Sequence, residues 1–175
     1  FAAAGLTEYT IPDSVTSIGD NVFHWCLALT SITIPFVGGS LESGTPSHFG
    51  YIFGAADYAN NAKYVPTTLK TVVVAGYQYH PIDQGNGCTI RNNAFYGCSF
   101  IESITVENAS IGSYAFQDCT RLKSITIGRF DNVSTDSLVT INNYAFKGCT
   151  SLNTVVFGNF ENSKAPNYQL TIYQN

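Results

Sequence analysis

Apolar residues occur along this chain in short bursts of fixed spacing. "LTSITI" sets Leu29, Ile32 and Ile34 in the pattern apolar, two positions, apolar, one position, apolar, and "LKSITI" repeats it with Leu122, Ile125 and Ile127. Further copies open at Leu6, Leu69, Ile101 and Leu152. The last four residues of each burst alternate and are mostly β-branched, which predicts a strand with one buried face. Ile32 and Ile34 then point inward, and Ser31 and Thr33 point outward. The bursts are too short for helices, and Val, Ile and Thr are stiff at χ1 in a helical setting.

A second pattern interleaves with the first. Ala-Phe is followed by Cys in "NAFYGC" (93–98), "YAFQDC" (114–119) and "YAFKGC" (144–149), with a looser copy, "NVFHWC", at 21–26. Each motif Cys stands three residues before a strand burst. Each motif Phe (Phe23, Phe95, Phe116, Phe146) stands five residues after an Ile (Ile18, Ile90, Ile111, Ile141). Only the window between a strand end and that Ile varies strongly. Fixed phase with one variable window predicts a solenoid, in which stacked coils bury what one coil cannot. The basic repeat of about 21–23 residues falls in the leucine-rich class.

These phased copies resemble the BspA-type leucine-rich repeat, whose pattern is a strand ending in Ile-Pro, a second strand ending in Ile-Gly, and then AFxxC. "LTSITIP", "VTSIGDNVFHWC" and "IGSYAFQDCTRLKSITI" carry the resemblance, which covers nearly the whole chain. The expected fold is a mainly β, right-handed leucine-rich-repeat solenoid, with one parallel strand per coil, a short second strand and short helical turns. Residues 1–175 are read as one domain of about six coils, with insertions near 35–68, 76–89, 128–140 and 158–169. The resemblance also implies a bacterial or protist protein, extracellular or on the cell surface and anchored by a region outside this chain. Its implied role is adhesion to a protein or glycan on a host or neighbouring cell, without a catalytic set or a cofactor.

The chain departs from the pattern in its second coil. Residues 35–68 lack AFxxC, and "YIFGAADYANNA" reads as a helical turn or short helix, with Phe53 as the stand-in for the motif Phe. Phe53 lies 16 residues before Leu69, against six in the regular coils. Both chain ends fall inside a repeat, which predicts a segment of a longer array or end-to-end self-association.

Composition narrows the partners. Charged residues are 11% of the chain and the net charge is −4, with the eight Lys and Arg scattered. A nucleic-acid partner requires a phosphate-neutralising basic patch, so none is expected. No apolar run reaches the roughly 20 residues of a membrane-spanning helix, and no membrane insertion is expected.

Candidate chemistry is sparse. Cys26, Cys98, Cys119 and Cys149 read either as redox or metal ligands or as a ladder of buried reduced thiols; free Cys packs as a small hydrophobe, and the ladder is the expectation. Cys88 stands apart. His24, His48 and His80 form no HxH or HExxH spacing, and His24 is expected outward and exposed. No GxSxG or P-loop motif occurs. Catalytic and metal residues are therefore expected to be none.

Candidate binding residues remain. Thr33, Val73, Thr105, Thr126 and Val156 form an outward strand ladder, either a flat binding sheet or simple β-propensity on an exposed face. The variable windows gather aromatics, among them Phe49, Tyr51, Tyr77, Tyr79 and His80. Such rings either meet a partner or anchor their own long loop. Pro81 and "DQGNG" mark a projecting turn beside Tyr77, Tyr79 and His80.

Overall fold

The computed structural model describes residues 5–40, 45–75, 89–107, 110–128, 139–157 and 170–172. Ten strands are found among them, in chain order β1 (Glu8–Thr10), β2 (Ser31–Ile34), β3 (Thr71–Val74), β4 (Thr89–Ile90), β5 (Ser103–Glu107), β6 (Ser110–Ile111), β7 (Ser124–Gly128), β8 (Val139–Ile141), β9 (Thr154–Phe157) and β10 (Leu170–Ile172). β1, β2, β3, β5, β7 and β9 form a six-stranded sheet in that order, parallel throughout. β4, β6, β8 and β10 form a second parallel sheet. Parallel neighbours reached through a second strand and a turn make the coiled solenoid the repeats predict.

Register follows from the alternation. Ile32, Val72, Ile104 and Ile125 are cross-strand neighbours, and all four are fully buried. The second sheet adds Ile90, Ile111 and Ile141 to the same core.

Between the sheets runs a stack of aromatic rings. Phe95 and Phe116 are 5.2 Å apart between ring centres, and Phe116 and Phe146 are 5.4 Å apart and nearly parallel. The insertion continues this stack with two rings. A 3-10 turn, Phe49–Phe53, turns Phe53 toward Phe23 (6.1 Å) and Phe49 toward Phe95 (4.8 Å), and the two lie 5.4 Å from each other. Phe53 therefore shares the motif slot with Phe49. The long gap from Phe53 to Leu69 is taken up by a second 3-10 turn, Tyr58–Asn60, and a one-turn helix α1, Asn61–Tyr64.

The AF segments are strings of turns, and the helical pieces lie in the insertion. Each AF segment has two residues with left-handed backbone. Before the AF pair these are Asn93, Tyr114 and Tyr144 (φ 59°, 58° and 59°), and before the Cys they are Gly97, Asp118 and Gly148 (φ 69°, 60° and 73°). The first coil places Asn21 and Trp25 there (φ 58° and 64°). Left-handed residues interrupt a right-handed helix, which is why AFxxC cannot be one.

Candidate functional site

Two surfaces emerge from the coil geometry: the outer face of the larger sheet and the edge formed by the AF turns. On the sheet, Thr10, Thr33, Val73, Thr105, Thr126 and Val156 are aligned by the pairing register. A second aligned row is Ser31, Thr71, Ser103, Ser124 and Thr154. Thr105 and Thr126 are half-buried by their neighbours, and Ser124 Oγ donates to Ser103 Oγ at 3.2 Å. The face is flat and uncharged along both rows from β2 onward, with hydroxyls and methyls at one strand spacing of about 4.8 Å.

Charge collects at the corner where chains enter the sheet. Lys123 pairs with Glu102 at 2.6 Å and holds that exposed carboxylate below its ordinary range, through the hydrogen bond first and its charge second. The Phe100 ring is flanked by the Lys70 ammonium (5.6 Å) and the Arg121 guanidinium (5.2 Å). Such exposed pairs add little stability, and they leave the sheet rows themselves uncharged.

The AF-turn edge was not anticipated from the sequence. Successive turns are held in register by their own backbones: Asn93 N–H donates to Ser113 C=O, Phe95 to Ala115, and Gly97 to Gln117. The next pair of coils repeats this with Tyr114 to Asn143, Phe116 to Ala145, and Asp118 to Lys147. Side chains flanking the AF pair therefore line up along the stack. Among them, Tyr114 and Tyr144 stack face to face at 4.9 Å with 7° between planes, and Tyr58 meets Tyr96 edge-on at 5.6 Å. At the first coil Trp25 is 62% exposed, its ring against the edge of His24 at 4.8 Å. The sequence signal was a Tyr or Trp standing where other coils use Asn, Gly or Asp, legible only once the left-handed positions are known.

The insertion corrects one candidate binding residue and half-buries another. Phe49 is fully buried, because it fills the aromatic stack against Phe95, and it offers no surface to a partner. Tyr51 is half-buried on the core and lies across the backbone of Gly39, where an added Cβ would meet its ring at 3.0 Å. Both rings anchor the insertion. Tyr77, Tyr79, His80 and Cys88 lie outside the described residues.

His24 is also corrected. It is half-buried, and its Nδ1 donates to the Phe53 carbonyl at 3.0 Å, tying the first coil to the insertion. His48 is buried, with Nε2 donating to Ala55 C=O at 3.0 Å.

Phe23, Phe95 and Phe116 are fully buried, and so are Cys26 and Cys119, with Cys98 nearly so. Phe146 and Cys149 are half-buried, a correction to their placement in the closed interior. Cys119 Sγ donates to Phe95 C=O (3.1 Å) and Cys149 Sγ to Phe116 C=O (3.0 Å), one coil back in each case. Burial pushes the Cys98 and Cys119 thiols well above the ordinary thiol range, and pushes Cys149 up to about 11. Thiols so raised are neutral at ordinary pH and poor nucleophiles. Among the described residues, no three His, Cys, Asp or Glu converge as a metal site, and no helix is long and apolar enough to cross a membrane.

Comparison with known families matches residues 1–45 and 88–170 to the model of the BspA type leucine rich repeat region, in six copies. A solved leucine rich cell surface protein from Faecalibacterium prausnitzii A2-165 shares 20% identity, over 92% of this chain and 50% of that one, at a TM-score of 0.28. This chain thus spans about half the length of that protein. No curated protein matches the sequence.

Proposed function

The chain belongs to the BspA-type leucine-rich-repeat family, and on that premise we propose that it is a non-enzymatic binding module of a cell-surface protein, mediating adhesion to a protein or glycan on a host or neighbouring cell. The observation that carries this reading is the division of labour between core and surface. Most repeated motif residues are spent on the stack, while the in-register Ser, Thr and Val rows of the larger sheet are left outward without charge from β2 onward. A rigid scaffold with broad neutral faces suits recognition by area and side-chain contact, as loops and faces on repeat folds do. Tyr77, Tyr79 and His80 stay within this proposal on the strength of the turn signal that Pro81 and "DQGNG" give in the sequence beside them.

The rival reading is a spacer or a scaffold that associates end to end. Beads coated with the whole chain and incubated with epithelial cells and with immobilised matrix proteins and glycans separate the two. Adhesion that falls when residues 76–87 are deleted, with circular dichroism unchanged, supports the binding module and a role for that segment. Beads that adhere to nothing, together with chain dimers in sedimentation, favour the scaffold.

A further inference from the structure

We infer that the corner where chains enter the larger sheet is a binding site for a carboxylated sugar, its carboxylate held by Arg121 and its hydroxyls by the adjoining Ser and Thr row; this rests on the surface-binding reading and names its ligand class. Three observations converge.

The first is a surplus of charge that only the fold assembles. The residues entering β3, β5 and β7 are set side by side by their backbones: Glu102 N–H donates to Lys70 C=O, and Lys123 N–H to Glu102 C=O. Lys123, Lys70 and Arg121 all act on one carboxylate, Glu102. Three cations against one anion leave an excess of two positive charges, on a chain whose net charge is −4. An anionic ligand relieves the repulsion among them. Two charges are too few for a nucleic acid, whose binding draws on many phosphate contacts.

The second is an oriented and unclaimed guanidinium. Lys123 takes Glu102 at 2.6 Å, and Lys70 Nζ donates to the Thr67 and Phe100 carbonyls at 2.8 and 3.3 Å. The acid nearest Arg121 along the chain, Asp118, accepts from Gln117 Nε2 at 3.1 Å. Arg121 is exposed, lies 5.2 Å from the centre of the Phe100 ring, and meets no hydrogen-bond acceptor among the described residues. Contact with the ring restricts the side chain while its N–H groups stay open to solvent. A planar fork so placed suits a carboxylate, which it meets with two parallel hydrogen bonds.

The third is what lies beside the fork. Lys123 and Glu102 are followed by Ser124 and Ser103, whose Oγ atoms are bonded at 3.2 Å. Thr71 and Thr154 continue this row on either side, at about 4.8 Å per strand. Hydroxyls in such a row exchange hydrogen bonds with those of a sugar. An acidic peptide draws its affinity from side chains anchored in desolvated pockets, and here the Phe100 ring is half-buried with Lys70 and Arg121 over it. Residues 76–87 follow the other, C-terminal end of β3, so their deletion and this corner are tested separately.

The experiment titrates the whole chain with two acidic probes, a hyaluronan hexasaccharide and sialyllactose. Each is set beside its neutral counterpart, the carboxyl-reduced hexasaccharide and lactose. Binding is followed by calorimetry and by the Arg121 Nε–H resonance. The expected result is saturable binding of at least one acidic probe, roughly tenfold or more tighter than its neutral counterpart, with the Arg121 resonance shifted. Arg121→Gln should weaken it roughly tenfold with circular dichroism unchanged, and Arg121→Lys should recover only part, since a point charge lacks the fork. Glu102→Gln removes the competing carboxylate and should bind more tightly than the parent. Equal binding of acidic and neutral forms, binding unchanged in Arg121→Gln, or tighter binding of hexaglutamate than of either sugar overturns the proposal, as does no binding of either acidic probe. If coated beads still adhere to matrix proteins in that last case, the surface-binding reading stands and only the acidic-sugar site falls.

Discussion

Phe116 and its neighbour Cys119 illustrate how one side chain serves two coils. The Phe116 ring lies between Phe95 and Phe146 at 5.2 and 5.4 Å, and nothing beside it can collapse without breaking the stack. Phe116→Ala should cost about 3–5 kcal/mol, read from urea unfolding midpoints; a loss below about 1 kcal/mol would contradict the burial. The thiols make stability depend on alkaline pH. Desolvation raises Cys98, Cys119 and Cys149 above their ordinary value of 9.0 in the folded state. The native chain therefore holds protons that the unfolded chain has released, and stability falls as pH rises past about 9. For Cys149 the loss runs up to about 11. Urea midpoints should drop between about pH 8 and pH 10.5, and drop less in Cys119→Ala. In native alkylation, half-buried Cys149 should react before Cys98 and Cys119.

The short helix α1 repairs the ladder that the insertion interrupts. In regular coils a backbone N–H at the left-handed position before Cys donates to the next coil, as Gly97 does to Gln117 C=O. The insertion replaces that donor with a side chain. Fully buried Asn61 donates Nδ2 to Tyr96 C=O (3.1 Å) and to Ala94 C=O (3.2 Å), while its Oδ1 accepts from Gly50 N–H (2.8 Å). One amide thus joins α1, the 3-10 turn and the third coil. Asn61→Ala strands Gly50 N–H and Tyr96 C=O away from water, and should cost about 1–3 kcal/mol. Hydrogen exchange on that variant should show faster opening of 49–64 than of β5, which would separate local loosening from global loss. Equal acceleration everywhere would argue that the insertion is an integral part of one cooperative unit.

At the scale of the whole molecule, stability is a sum of neighbouring interfaces. β5 and β7 lie inside the larger sheet, with β1 and β9 at its two edges. Val155 in β9 is 44% exposed, although its register partner Ile125 is fully buried. Amide exchange should therefore be slowest in β5 and β7 and faster in β9. A uniform rate across all six strands would overturn this graded picture.

The sequence by itself determined the stack. Spacing assigns Leu29, Ile32 and Ile34 and their counterparts to one face, because a parallel sheet repeats at a fixed register, and equal phase in several copies leaves no other arrangement. The motif Phe and Cys follow for the same reason. Tertiary structure alone decided what the irregular parts do. No spacing rule could divide the aromatic slot between Phe53 and Phe49, bury Phe49, lay Tyr51 on the core, or give Asn61 the role of a missing backbone donor, because these depend on how an unrepeated segment meets its neighbours. The aromatic turn edge stayed hidden for a related reason. Trp25, Tyr114 and Tyr144 are ordinary letters in a sequence, and become informative only when the backbone places them at positive φ in the AF turns.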